Sequence, residues 1–72
     1  MNYRYSLIIQ WSEDDQLYLV TIPEFSEIVM QPCTYGRNYE EAITNAQEAI
    51  SGYLEYCQEE RILPPSPMLI AA

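Results

Sequence analysis

Three acids stand side by side in the stretch WSEDDQLYLVTIPEF, residues 11–25: Glu13, Asp14 and Asp15. Carboxylates do chemistry when a pair is held so that its pKa values separate, or when several converge on a cation. A calcium loop needs the alternating D-x-D-x-D-G pattern, and the acids here are consecutive and lack that glycine. Consecutive acids on a turn point in different directions and stay hydrated, and no histidine or lysine exists in the chain to shift them. The stretch is therefore expected to turn the chain between two strands, its carboxylates left in water.

The remaining residues offer no better catalytic set. Both glycines, Gly36 and Gly52, fall outside any phosphate-cradling loop, and no G-x-S-x-G elbow occurs. Cys33 and Cys57 lack the C-x-x-C spacing of a metal or redox pair, so they are expected to be reduced, buried or half-buried small hydrophobes. Seven tyrosines resemble a stacking platform for bases, but 11 acids against three arginines, Arg4, Arg37 and Arg61, give a net charge of −8. Phosphate neutralisation needs clustered cations, and these are scattered. The expectation is a non-enzyme with no metal and no cofactor, which repels nucleic acid and is steered toward basic partners.

Composition bounds the rest. Seventy-two residues with 49% hydrophobic content make one small globular domain. A chain of this size buries only about 60% of its unfolded surface, so association with a second copy is a ready supplement to stability. No apolar run reaches the roughly 20 residues of a membrane span, and no secretory leader is visible, which places the expected protein in the cytoplasm.

The elements that hold these residues follow from periodicity. Residues 3–11, YRYSLIIQW, alternate with Tyr3, Tyr5, Leu7, Ile9 and Trp11 on one face; LYLVTI, residues 17–22, is rich in β-branched and aromatic side chains and is closed by Pro23. Pairing Trp11 with Tyr18, Ile9 with Val20 and Leu7 with Ile22 gathers the apolar residues on one side and leaves residues 13–16 as the loop. Residues 28–35 suggest a third strand interrupted by Pro32, ending near Gly36. Asn38 is a fit N-cap with Glu41 three residues on, and Tyr39, Ala42, Ile43, Ala46, Ile50, Tyr53, Leu54 and Cys57 form one helical stripe up to about Glu60.

The fold class is thus α+β: a three-stranded antiparallel sheet in β-β-β-α order with one long helix on one face. The core should comprise Leu7, Ile9, Val20, Ile22, Ala42, Ile43, Ala46 and Ile50. A proline-bearing tail, residues 63–72, follows a domain over residues 1–62; residues 68–70, MLI, either add a short C-terminal strand or end the chain without structure. Gly52 inside the helix suggests a close contact or a kink. Ile8 and Leu19 fall on the uncovered sheet face and are expected at an oligomer interface, in a homodimer or higher even oligomer.

This order of elements resembles the HicB-like antitoxin family. The resemblance rests on residues 5–11 as first strand, on Y-x-V-T-x-P-E over residues 18–24, and on G-x-x-x-E-E-A over residues 36–42. Ala42 to Ile50 carry an A-x-x-N-A-x-E-A-I run, and Leu63 to Pro65 match a proline-bearing exit. The family's P-x-L-P-G-C turn is replaced by the longer PEFSEIVMQPC. The resemblance implies a partial ribonuclease H-like core without that enzyme's catalytic acids, which binds and masks a small basic ribonuclease toxin of the HicA-like type. Glu13, Asp14, Asp15 and Glu24 would be the acidic contacts. An orphan module of the same fold, associating only with itself, is the alternative. Filter binding of DNA and RNA at physiological salt should show no retention; retention that weakens with added salt would contradict the charge argument.

Overall fold

The computed structural model describes residues 3–71. Three strands form one antiparallel sheet in the order β1-β2-β3, and a single helix follows: β1 Ile8–Ser12, β2 Leu17–Thr21, β3 Thr34–Gly36 and α1 Tyr39–Glu60. The α+β architecture is the one expected from the periodicities. The hairpin register also agrees along the ladder: Trp11 faces Tyr18 and Ile9 faces Val20, with residues 13–16 turning the chain, while the expected pair of Leu7 with Ile22 lies beyond its end. Because side chains alternate across a strand, Ile9, Val20 and Thr34 share the face under α1, while Ile8, Gln10, Leu19, Thr21 and Tyr35 share the other.

Two strands are shorter than the alternation suggests, and prolines explain both. Residues 3–7 lie outside the ladder, because β2 runs out at Thr21 and Pro23, which lacks an N–H, opens a 3-10 turn at Pro23–Phe25. Their alternation still holds, since Tyr3, Tyr5 and Leu7 pack on the cluster of Ile22, Phe25 and Ile50. The third strand does not begin at residue 28. Ile28 and Val29 instead donate back to the Phe25 carbonyl, at 3.1 and 3.0 Å, which closes a turn.

Where Pro32 cannot serve the ladder, a side chain does. The Gln31 amide accepts from the Ile22 N–H at 3.3 Å and donates to the Ile22 carbonyl at 2.9 Å, in the manner of a paired strand residue. Cys33 then donates its N–H to the Val20 carbonyl at 2.9 Å, and β3 begins.

The helix starts where its cap directs. Asn38 is extended, with φ −146° and ψ 174°, and its side-chain oxygen accepts the Glu41 N–H at 2.7 Å. Glu41 does not return the bond to Asn38. Its carboxylate accepts instead from the Arg37 N–H at 3.0 Å and from the Arg37 guanidinium at 3.2 Å, which holds it below the usual carboxylate range. Glu40 and Glu41 both sit at the positive end of the helix dipole.

Ala42, Ala46, Ile50 and Cys57 are the buried positions of α1. Ala42 and Ala46 lie under Val20, and Ile50 meets Ile22 and Phe25. Ile43 corrects the expected core: it is 40% exposed, because the buried row follows steps of four and then seven from Ala42 and leaves Ile43 on its flank. Leu7 and Ile9 are only half-buried, packed at the rim of the clusters. Tyr39 and Trp11 are exposed too, joined through Tyr18, whose ring centroid lies 4.5 Å from that of Tyr39 and 5.0 Å from that of Trp11. Both cysteines are free, Cys33 half-buried and Cys57 buried.

The two glycines divide by environment. A Cβ at Gly36 would stand 2.6 Å from the Ala42 Cα and 2.8 Å from the Glu41 carbonyl carbon, so the sheet and helix backbones touch there. Gly52 is exposed with nothing within 4 Å of such a Cβ, so it does not mark the close contact that the sequence suggested. Gly36→Ala should lower stability by about 2 kcal/mol through overpacking against backbone, whereas Gly52→Ala should raise it by about 0.8 kcal/mol through helix propensity. Thermal melts of the two variants shifting in the same direction would contradict this division.

Candidate functional site

The acidic loop is built by its own short hydrogen bonds. The Gln16 N–H donates to the Ser12 carbonyl at 2.8 Å, and Gln16 takes φ 55° to bring the chain back into β2. The Ser12 hydroxyl donates to the Asp15 carboxylate at 2.9 Å and accepts the Asp15 N–H at 3.2 Å. The Gln16 amide donates to the Glu13 carbonyl at 2.8 Å, and the Trp11 indole N–H to the Glu13 carboxylate at 3.3 Å. Glu13, Asp14 and Asp15 are all exposed. Two of the acids thus shape the turn while all three remain at the surface, a negative knob on a two-strand stalk.

Glu24 belongs to a different place and does a different task. It sits beyond the far end of β2, and the five residues of that strand separate it from the loop by about 16 Å of extended chain. Its half-buried carboxylate accepts the Ser6 N–H at 3.0 and 3.1 Å, the Ser6 hydroxyl at 3.2 Å and the Met68 N–H at 2.9 Å. One side chain therefore ties the unpaired N-terminal segment and the C-terminal tail to the 3-10 turn. Partial burial pushes its pKa up, but the N–H groups of Met68, Glu24 itself and Ser6, with the Ser6 hydroxyl, outweigh that and hold it below its ordinary value.

Beside it, the Tyr5 hydroxyl donates to the Pro65 carbonyl at 2.7 Å. Burial, with smaller contributions from Cys57 and Glu24, raises the Tyr5 pKa, so the hydroxyl stays a donor. The tail has no regular secondary structure and is held by these contacts; residues 68–70 form no strand, so the possible C-terminal strand is absent. The sequence offered no signal for the Ser6 and Gln31 contacts, because each depends on chain ends of strands meeting a side chain from elsewhere.

On the sheet face away from α1, Ile8 is 44% and Tyr35 56% exposed, and Leu19 is half-buried. Gln10, Trp11, Ser12, Leu19, Thr21 and Pro32 line a shallow recess of about 300 Å³ there. None of the outward strand residues is charged. The structure thus separates the expected partner contacts from the expected oligomer face: the acidic loop projects from one end of the sheet, while Ile8 and Leu19 lie flat on its open side.

Among the described residues, no group of three His, Cys, Asp or Glu side chains is placed to hold a metal ion. No helix among them is long and apolar enough to cross a membrane. Comparison with known proteins gives no match to a family, a curated protein or a solved structure.

The Glu24 network has a pH dependence of determined sign. Its folded-state pKa is depressed, so its stabilisation is complete above the ordinary value of 4.5 and is lost as pH falls through the lowered folded value. Glu24→Gln should cost about 1 kcal/mol near neutral pH, at the low end for charged hydrogen bonds because the site is half open to water. The difference from wild type should shrink in melts as pH falls through that lowered folded value. A difference that persists unchanged in acid would mean that the carboxylate's charge is not what binds Ser6 and Met68.

Proposed function

We propose that this protein is a non-catalytic binding module of the antitoxin type, which engages a small basic ribonuclease of HicA-like type through its acidic loop. The observation that carries this reading is the loop itself: three adjacent carboxylates, exposed at the tip of a two-strand stalk, on a chain of net charge −8. Such a field accelerates encounter with a basic partner and suppresses pairing with acidic ones. The β-β-β-α order and the G-x-x-x-E-E-A helix start support the resemblance to HicB-like antitoxins on which the partner's identity rests. Glu24 contributes by holding the domain's ends in place. Glu13, Asp14 and Asp15 supply the contact.

A second reading, self-association without a toxin, is favoured by the uncharged open sheet face around Ile8, Leu19 and Tyr35. Pairing of two such faces brings no like charge of the strands into contact, and an uncovered apolar sheet face invites a cover. The two readings are compatible, since they use different surfaces.

Replacing Glu13, Asp14 and Asp15 with Lys should weaken capture of a small basic ribonuclease toxin by at least about tenfold, mainly through the association rate, and remove most of its salt dependence. Calorimetry of the toxin with both chains, beside sedimentation of Ile8→Glu and Leu19→Glu, separates the readings. Unchanged affinity in the triple variant would overturn the loop assignment. Failure to bind any basic ribonuclease, with dimers abolished by Ile8→Glu, would favour the orphan module.

A further inference from the structure

The C-terminal strap is seated by recognition rather than by a ladder. It leaves α1 at Arg61, which takes φ 57° and ψ 39°, and its Ile62 N–H donates to the Cys57 carbonyl at 2.8 Å. Beyond Ile62, two hydrogen bonds among the described residues join it to the domain: Tyr5 to the Pro65 carbonyl and Met68 to the Glu24 carboxylate. Pro64, Pro65 and Pro67 are half-buried. A cleft of about 400 Å³ is lined by Pro65, Ser66 and Met68 of the strap and by Pro23, Glu24 and Ile28 of the turn.

These contacts constitute a code. The seat offers one hydroxyl donor to a backbone carbonyl and one carboxylate acceptor to the N–H three residues later, with prolines stiffening the stretch between. We propose that this seat is a receptor for an extended, proline-bearing segment, and that its occupant in the assembled protein is the strap of a second copy, exchanged about residues 61–63.

Three observations favour a second copy as the source. Every chain carries a strap that satisfies the seat, at the same concentration as the seat itself. Residues 62–71 hold no charged side chain, so a strap reaches across to another chain of net charge −8 without adding repulsion of its own. Leu63 is 91% exposed, so the chain pivots at that residue without losing packing of its side chain, and Leu69 and Ile70, 65% and 95% exposed, are apolar surface left uncovered in the closed form. Exchange of an identical element is a low-cost route to a dimer.

The closed form competes through its short tether, whose effective concentration is on the order of millimolar, so exchange in the wild-type chain belongs to that range. Deleting Leu63 removes about 3.5 Å of reach and penalises closure within one chain more than closure between two. Because the chains repel one another, added salt strengthens exchange, opposite in sign to its effect on a basic partner.

The test is isotope-filtered nuclear Overhauser spectroscopy on an equal mixture of labelled and unlabelled full-length chain at millimolar concentration, in low and high salt. Cross-peaks between the Tyr5 ring of one chain and Pro65 of the other are expected, stronger in high salt and retained in Ile8→Glu, which removes only face-to-face pairing. The Leu63 deletion should dimerise at a concentration at least about tenfold lower than wild type. Strap contacts found only within single chains would overturn the proposal, as would a monomeric Leu63 deletion with a free strap. If that variant fails to fold, the wild-type mixture decides alone. Toxin binding plays no part in either sample, so failure here leaves the loop assignment standing.

Discussion

The contact between Gly36 and the first turn of α1 sets the spacing on which the rest depends. A Cβ at that position would collide with the Ala42 backbone, so the strand and helix meet main chain to main chain. The short side chains of Ala42 and Ala46 continue this close approach along the helix, and Val20 fills the remaining space. A small domain has few large residues to bury, and bringing the layers this near lets small ones exclude water. Farther along α1, Ile22, Phe25 and Ile50 form a second buried cluster. The rings of Tyr5 and Tyr53 stand 4.9 and 5.0 Å from that of Phe25.

A second constraint is the pair of prolines that interrupt the sheet. Pro23 stops β2 and Pro32 delays β3, and each leaves backbone groups of neighbouring segments without a strand partner. Polar side chains meet that need: Gln31 serves both backbone groups of Ile22, and Glu24 serves Ser6 and Met68. The sheet is thereby extended by side chains on the side where the chain ends converge. The opposite end, at the acidic loop, is closed by local turn chemistry alone. One end of the molecule is spent on holding itself together, and the other faces solvent with its charges available.

Much of this was legible in the sequence. The facing pairs Trp11 with Tyr18 and Ile9 with Val20 follow from the need to put apolar residues on one side, and they are the pairs that form. Asn38 as cap and the end of α1 at Glu60 were equally plain, because capping and proline stops are local chemistry. Ile43 was misplaced because a helical stripe has flanks: spacing shows which side is apolar, but the width that is covered depends on how broad the opposing sheet is, and a three-stranded sheet with one short strand is narrow. The third strand looked longer because IVMQPC has β-like composition, yet the Ile28 and Val29 N–H groups are taken by the Phe25 carbonyl and the ladder is joined only from Cys33. Glu24 read as a surface acid because its donors lie at Ser6 and Met68, 18 and 44 residues away in the chain.

The central structural claim is that the Glu24 carboxylate joins the N-terminal segment and the tail into one unit with the sheet. Native-state hydrogen exchange of the individual amides tests it most directly. The Ser6 and Met68 amides should be protected well beyond free-chain rates near neutral pH, and should lose that protection together in Glu24→Gln while the Val20 amide keeps its own. Exchange of Ser6 and Met68 at free-chain rates in the wild-type protein would contradict the account.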